Sequence, residues 1–138
     1  MSGGPAPVLD SLVRMGCPSG SDPRVGLDLL EIERIERALA RRPALARRLF
    51  HPGELAYCGS RGRPGQHLAA RFCAKEAVSK ALGMPVFAPL DVEVLGGGED
   101  VALALHGAAR ARAQALGVSV GISLTHTRVL AGAVAVLR

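Results

Sequence analysis

The spacing of apolar positions changes along the chain and predicts an order of elements. Residues 24–30 form a short apolar run typical of a strand, and residues 31–42 then repeat apolar side chains at helical spacing until Pro43. We predict a short helical turn over 44–49 and another helix over 52–58, with a proline at its first position. A strand followed by helices therefore opens the ordered part of the chain.

The longest helix is predicted over residues 66–82, which are dense in Ala, Leu, Lys and Glu, and Gly83 is expected to cap it. Two strands, a small helix and two more strands follow, over residues 91–95, 101–105, 106–116, 118–125 and 129–137. A tight hairpin over 126–128 joins the last two strands. The order β-ααα-ββ-α-ββ predicts an α+β domain whose long helix packs across a small antiparallel sheet.

Composition sets the domain organisation and excludes several classes of protein. Residues 1–23 are rich in Gly, Pro and Ser and predict a flexible N-terminal tail, and residues 24–138 predict the folded domain. No apolar run approaches the roughly 20 residues of a membrane helix, and no secretory signal is visible. Cys17, Cys58 and Cys73 lack CxxC spacing, which is typical of free thiols in a reducing compartment, so we expect a cytoplasmic protein.

The charge balance indicates acidic partners. The net charge is +5, but aromatic residues make up only 3% of the chain, which argues against single-stranded nucleic acid as the partner. Nearly all of the basic residues are arginines, and the only lysines are Lys75 and Lys80. A compact ammonium group is a good single-point contact for phosphate, whereas arginine prefers a planar, bidentate partner.

Three side chains are candidates for phosphate or metal chemistry. Glu76 and Lys80 lie four residues apart on the long helix and share a face, either as part of a site or as an ordinary solvated pair. Asp28 interrupts the first apolar strand, where it either caps the following helix or, together with Glu76, binds Mg²⁺. Magnesium usually takes one or two carboxylates and completes its shell with phosphate oxygens and water.

The histidines give a weaker signal. His126 lies in the predicted hairpin, where it is either a solvated turn residue or a group that binds phosphate or moves a proton. His51, His67 and His106 have no spacing that implies zinc. The three glycines at 96–98 are interpreted as a turn, and the chain has no nucleotide-binding glycine motif.

Three segments taken together resemble one family. They are GLDLLEIERI over residues 26–35, ARFCAKEAVSKALG over residues 70–83 and SLTHT over residues 123–127. The combination resembles the holo-[acyl-carrier-protein] synthases, the small bacterial type of 4′-phosphopantetheinyl transferase, and the resemblance covers residues 24–137. It implies transfer of the 4′-phosphopantetheine group of coenzyme A to a serine of an apo acyl carrier protein, with release of 3′,5′-ADP.

The resemblance also implies a role for each candidate. Asp28 and Glu76 would hold a Mg²⁺ that bridges the diphosphate, and Lys80 would neutralise phosphate charge. His126 and Thr127 would contact the phosphates of the cofactor across a subunit interface, because small members of the family form homotrimers. Glu76 is the first choice for the base that accepts the serine proton, and His126 is the second.

Two groups of arginines complete the expectations. Arg61 and Arg63 lie in a basic loop, and we expect them to contact the 3′-phosphate of coenzyme A. The first helix carries a strip of arginines that suits docking of an acidic acyl carrier protein, in an interaction that salt should weaken: Arg34, Arg37 and Arg41. A solvated helix face with Glu–Arg pairs would look the same and is compatible with docking.

The chain departs from the family pattern at Met84-Pro85, where many relatives carry a Gly-rich turn. The two carboxylates and Lys80 are nevertheless present, so we expect a competent enzyme. The alternative is a non-catalytic basic module that binds an acidic protein or coenzyme A. The residues do not distinguish carriers of fatty-acid synthesis from carriers of polyketide synthesis.

Overall fold

Residues 24–138 are described by the structure, a computed structural model, and the tail predicted over residues 1–23 lies outside the described residues. The elements are β1 (Val25–Glu31), α1 (Ile32–Arg41), α2 (Leu45–Leu49), α3 (Pro52–Gly59), α4 (Pro64–Leu82), a 3₁₀ turn (Pro89–Asp91), β2 (Val92–Leu95), β3 (Ala102–Leu105), α5 (Gly107–Leu116), β4 (Val120–His126) and β5 (Leu130–Leu137). The predicted α+β class is confirmed. No helix within residues 24–138 is long and apolar enough to span a bilayer.

Four helices separate β1 from β2, because the short helical turn predicted over residues 44–49 is a helix of its own that the order β-ααα-ββ-α-ββ did not count. Residues 45–49 form a full helical turn between Pro43 and the extended residue Phe50, whose side chain is buried. The strands also divide into two sheets, one of order β1-β5-β4 and one formed by β2 and β3. Gly83 and Gly117 end their helices with positive φ, as glycine allows.

Small side chains bring helix α4 close to the three-stranded sheet. The inner face of the central strand β5 presents Ala131, Ala133 and Ala135, all at most 2% exposed, and the facing residues of α4 are largely alanines. On β1, a Cβ added at Gly26 would lie 1.8 Å from the carbonyl oxygen of Ala77. Only glycine permits this approach, so the sequence fixes α4 directly against the strand that carries Asp28.

The opposite face of the same sheet is apolar and open. Val25, Leu27 and Leu29 on β1 are 58%, 59% and 64% exposed, and Val136 on β5 pairs with Val25 in the same row. Alternation along the strand forces this outcome, since Gly26 and Asp28 take the inner positions. An exposed apolar row of this kind marks an interaction surface.

A buried ion pair fastens the other side of α4. The Nζ of Lys75 lies 2.8 Å from Oε1 of Glu54, and both side chains are fully buried. Lys75 also donates to the carbonyl oxygens of Pro89 and Val92, and Glu54 accepts from the backbone N–H of Val94 at 3.2 Å. Burial lowers the pKa of Lys75 and the hydrogen-bonded carboxylate of Glu54 opposes that shift. The pair joins α3, α4 and β2 through satisfied hydrogen bonds.

Candidate active site

Asp28, Glu76 and Lys80 lie in one cluster between β1 and α4. The Nζ of Lys80 lies 3.1 Å from Oδ1 of Asp28, 52 residues away in the sequence, and also donates to the carbonyl oxygen of Leu27 at 3.0 Å. Glu76 lies one turn before Lys80, and the charge of Asp28 is near enough to raise its pKa. The fold therefore brings together two carboxylates and one ammonium group.

The partners of Asp28 decide between its two interpretations. Glu31, not Asp28, occupies the N-cap position of α1, and no side-chain hydrogen bond caps that helix. Asp28 instead points to the inner face of the sheet, where its carboxylate receives Lys80 from α4. The helix-cap interpretation is excluded, and the metal-ligand interpretation stays a prediction.

The electrostatics of the cluster favour a bound cation. The pKa of Glu76 is raised first by burial and then by the charge of Asp28, and Lys80 only partly offsets these effects. The neighbouring Cys73 thiol has its pKa raised to about 12, chiefly by burial and then by Asp28. Cys73 therefore stays protonated at neutral pH, which leaves the carboxylates and Lys80 as the reactive groups of this cluster.

A cavity of about 290 Å³ lies beside the N-terminal half of α4. It is lined by Tyr57, Arg61, His67, Ala70, Arg71, Gly97, Gly98, Val101, Leu124 and His126. The rings of His67 and His126 contact edge to face, with centroids 5.5 Å apart. The pKa of His67 is lowered by burial and then by the charges of His126 and Arg61. Basic side chains thus surround an opening that suits an anionic ligand.

Two guanidinium groups lie against the ring of Tyr57 in this cavity. The Arg61 and Arg71 guanidinium carbons lie 4.3 Å and 4.5 Å from the centroid of the Tyr57 ring. Arg71 is itself buried and donates to the carbonyl oxygens of Val94 and Gly96, which anchors the stack to β2. Gly97 follows, where an added Cβ would lie 1.9 Å from the Tyr57 hydroxyl oxygen. The glycine turn therefore shapes the cavity and does more than reverse the chain.

The structure separates the remaining predicted residues. Thr127 shapes the hairpin, because its Oγ1 accepts hydrogen bonds from the backbone N–H groups of Val129 and Leu130 at 3.1 and 2.9 Å. Arg63 lies away from Arg61 and pairs with Glu36 at 2.8 Å, while also donating to the carbonyl oxygen of Arg128 at 2.6 Å. Arg63 therefore fastens α1 to the hairpin and does not line the basic cavity.

The arginine strip of α1 borders an apolar groove. Arg34 lies at a groove of about 280 Å³ whose other walls are Leu30, Ile35, Ala38, Leu45, Leu49 and Phe72. Arg37 and Arg41 are exposed on the same helix, and Arg37 pairs with Glu33 at 2.6 Å. An apolar groove with Arg34 at its edge is thus formed by β1, α1, α2 and α4.

Tyr57, His67 and Arg71 line the cavity but were not among the residues predicted from the sequence. His67 and Arg71 lie four residues apart on the predicted long helix, so their shared face was available as a signal. The contact of both arginines with Tyr57 depends on how α3 packs against α4, which no local pattern predicts.

Comparison with known proteins gives the same assignment. A profile of the 4′-phosphopantetheinyl transferase superfamily matches residues 24–121. The holo-[acyl-carrier-protein] synthase of Moorella thermoacetica is 44% identical over 117 residues, which cover 81% of this chain and 91% of the relative. The Streptomyces coelicolor enzyme of the same name is 46% identical over 116 residues, 81% of this chain and 94% of the relative.

A solved structure agrees with these relatives. Helicobacter pylori holo-[acyl-carrier-protein] synthase in complex with coenzyme A superposes with a TM-score of 0.70 at 25% identity, over 83% of this chain and 99% of that one. The chain belongs to the 4′-phosphopantetheinyl transferase superfamily. Within that superfamily it is a member of the holo-[acyl-carrier-protein] synthase family of enzymes.

Proposed function

We propose that this chain transfers the 4′-phosphopantetheine group of coenzyme A to a serine hydroxyl of an apo acyl carrier protein, depends on Mg²⁺ and releases 3′,5′-ADP. The observation that carries the proposal is the meeting of Asp28, Glu76 and Lys80 in a chain of this family. The coenzyme A complex of the Helicobacter pylori relative supports coenzyme A as the co-substrate.

Asp28 and Glu76 fit a hard divalent cation. Carboxylate oxygens are the ligands Mg²⁺ prefers, and the two groups repel each other strongly enough that the charge of one raises the pKa of the other. A bound Mg²⁺ would relieve that repulsion and stabilise negative charge on the diphosphate oxygens. The contribution of the chain is to hold one carboxylate on β1 and the other on α4, both rigid elements.

Each bond change of the proposed reaction can be assisted by a side chain of the cluster. The serine oxygen bonds to the phosphorus that carries pantetheine, and the bond from that phosphorus to the bridging oxygen breaks. The electron pair leaves with 3′,5′-ADP, whose growing charge Lys80 neutralises. We assign the serine proton to the carboxylate of Glu76, with His126 as the second candidate.

The basic cavity suits the nucleotide part of coenzyme A. Arg61 lines it with a positive charge for phosphate, and His126 adds a ring nitrogen that can hydrogen-bond to phosphate. We assign the 3′-phosphate to Arg61 rather than Arg63, because Glu36 already holds the Arg63 guanidinium. Thr127 would keep the hairpin shape that presents His126 to the phosphates.

The basic cavity and the two carboxylates are separated within one chain, and self-association would bring the cavity of one subunit close to the carboxylates of another. His67 and Glu76 lie nine residues apart on α4, which is about 13 Å along the helix axis. The open apolar face of Val25, Leu27 and Leu29 supplies a surface that a second copy would cover. We propose a homotrimer in which the cavity of one subunit lies beside the carboxylates of the next.

The groove beside Arg34 suits the carrier protein. Its apolar walls would receive an apolar side chain of the partner, and Arg34 at the groove, with Arg37 and Arg41 exposed on the same helix, would attract acidic groups. This complementarity supports an acidic acyl carrier protein as the substrate, from fatty-acid or polyketide synthesis. We place the reaction in the cytoplasm, where the buried thiols of Cys58 and Cys73 remain reduced.

The direct test is to mix the purified chain with coenzyme A, Mg²⁺ and an apo acyl carrier protein and to weigh the carrier. We expect a mass gain of one phosphopantetheine group that disappears with EDTA, in Asp28→Asn and in Glu76→Gln. Glu99→Gln is the matched control, because this exposed glutamate lies outside the carboxylate cluster. An unmodified carrier under all conditions would favour the alternative, a non-catalytic basic module.

A further inference from the structure

A second cluster of metal-ligating side chains lies outside the proposed active site. His51 precedes α3, Glu93 lies on β2 and His106 precedes α5, and one ligand atom of each lies within 4.8 Å of the others. The two imidazole rings have centroids 5.2 Å apart. Nε2 of His106 lies 3.0 Å from Oε1 of Glu93. Elements far apart in sequence thus converge two imidazoles and one carboxylate.

The hydrogen bond of His51 prepares its ring for a metal. Nε2 of His51 lies 2.7 Å from the carbonyl oxygen of Leu90, which accepts hydrogen bonds and donates none. The proton of the neutral ring is therefore on Nε2, and the lone pair is on Nδ1, which faces the backbone N–H of Glu54 in a capping box at the start of α3. An ion at Nδ1 would replace that contact. Histidines that bind metals characteristically donate their other ring nitrogen to such a carbonyl or to a carboxylate. His51 already has that outer partner.

Within residues 24–138, the other acidic side chains near the histidines already have partners, so only His51, Glu93 and His106 are available as metal ligands. Asp91 on the 3₁₀ turn accepts from the backbone N–H of Ala109 at 3.3 Å and so caps α5. Glu54, which follows His51 on α3, is committed to Lys75 inside the protein. Glu93 and His106 are less buried and pair with each other at 3.0 Å. The acidic groups around the histidines favour a cation.

We propose that His51, Glu93 and His106 bind a borderline divalent transition-metal ion of the Zn²⁺ class, at a site separate from the two carboxylates Asp28 and Glu76. Imidazole and carboxylate ligands at about 2.0–2.2 Å are typical of zinc, and three protein ligands leave a fourth position for water. Metal–ligand distances of that size place the ligand atoms about 3.4 Å apart, so binding would require small side-chain rotations of His106 and Glu93. Mg²⁺ prefers oxygen ligands, so the two sites select different ions.

An ion at this position would tie three elements together. It would fix the start of α3 and the start of α5 to β2, the strand that leads into the Gly97–Gly98 turn of the basic cavity. Because an ion that binds only the folded state raises its stability, thermal unfolding reports occupancy. The spacing of the two histidines along the chain, 55 residues, gave no zinc signal in the sequence.

The test uses the full chain after EDTA treatment and dialysis, titrated with Zn²⁺ by calorimetry and with Co²⁺ by visible absorption. We expect one equivalent to bind, tetrahedral Co²⁺ bands to appear and the Tm to rise by about 10 °C at a Zn²⁺ concentration 100-fold above Kd. His106→Ala and Glu93→Gln should each weaken binding at least about tenfold. The control variant His67→Ala removes the contact between His67 and His126 in the basic cavity and should bind Zn²⁺ as the wild type does.

Each remaining outcome contradicts the site. Absence of Zn²⁺ binding to the wild type overturns the proposal, as does wild-type affinity in both His106→Ala and Glu93→Gln. Loss of binding in His67→Ala with normal binding in His106→Ala would move the ion to the basic cavity and also overturn it. Metal-free Tm values close to that of the wild type show that the variants fold. If His106→Ala does not fold, the affinity of Glu93→Gln for Zn²⁺ is the test of the site.

Discussion

The two lysines of the chain lie five residues apart on α4 and do opposite things. Lys75 is fully buried, pairs with Glu54 at 2.8 Å and holds backbone carbonyls of the 3₁₀ turn and β2. The side chain of Lys80 is 53% exposed and reaches Asp28 on β1 at 3.1 Å, with Glu76 one turn away. Burial and the identity of the partner separate them, since the residue type and the helix are the same.

Solvent access and charge balance distinguish the structural lysine from the lysine of the proposed active site. The Lys75 pair is closed: its hydrogen bonds are internal, and no substrate can approach it. The Lys80 cluster is open to solvent and contains two carboxylates and one ammonium group. A cation can therefore bind the carboxylates, and a phosphate can bind Lys80. Function is expected where a charged cluster keeps water access and an unbalanced charge.

The largest expected effect lies at the closed pair. Lys75→Met should lower the free energy of unfolding by about 3–5 kcal/mol, because Glu54 is left as a buried charge without its cation. Urea denaturation measures the loss. The double variant Lys75→Met/Glu54→Gln should recover part of it, and a loss below about 1 kcal/mol for the single variant would mean that the pair does not fasten α4.

The next effect lies at the open cluster. Lys80→Met should lower the rate of phosphopantetheine transfer by about 10²–10³-fold while its Tm stays near the wild-type value. Lys80→Arg should restore only part of the rate, because the planar guanidinium cannot replace a compact ammonium group. Single-turnover mass spectrometry of the carrier provides the rate. Equal rates in all three proteins would make Lys80 a structural residue like Lys75.

Part of this site was predictable from the sequence. The four-residue spacing of Glu76 and Lys80 put them on one helical face, and the apolar strand carried Asp28, because both depend on local periodicity. The Lys75–Glu54 pair and the stack of Arg71 on Tyr57 depend on packing between elements far apart in the chain. Arg63 shows the same limit, since its basic loop gave no sign that Glu36 would hold it.

A smaller effect concerns pH and the stability of the open cluster. The folded protein raises the pKa of Glu76 above its unfolded value, so ionisation destabilises the fold as pH rises through the folded pKa. In Mg²⁺-free buffer at pH 7, Glu76→Gln should therefore raise the Tm by about 1–3 °C, since water screens a half-buried group. The gain should vanish below about pH 4, where Glu76 is protonated in both states. A variant less stable than the wild type at pH 7 would refute the repulsion.

The smallest effect belongs to the exposed pair of Arg37 and Glu33. Their side chains are 70% and 65% exposed, so Arg37→Ala should change the free energy of unfolding by less than about 0.5 kcal/mol. Arg34→Ala at the groove should instead raise the KM for the carrier several-fold at low salt, an effect that high salt removes. An unchanged KM would place carrier docking elsewhere.

Binding of Mg²⁺ to the coenzyme-free protein tests the convergence of Asp28 and Glu76 most directly. The wild type and two variants are titrated with Mg²⁺ by calorimetry. Asp28→Asn removes one carboxylate, and Lys80→Met removes the ammonium group that competes with Mg²⁺ for that carboxylate. We predict that Asp28→Asn loses Mg²⁺ binding, whereas Lys80→Met binds Mg²⁺ at least as tightly as the wild type. Equal affinity in the wild type and Asp28→Asn would contradict the account.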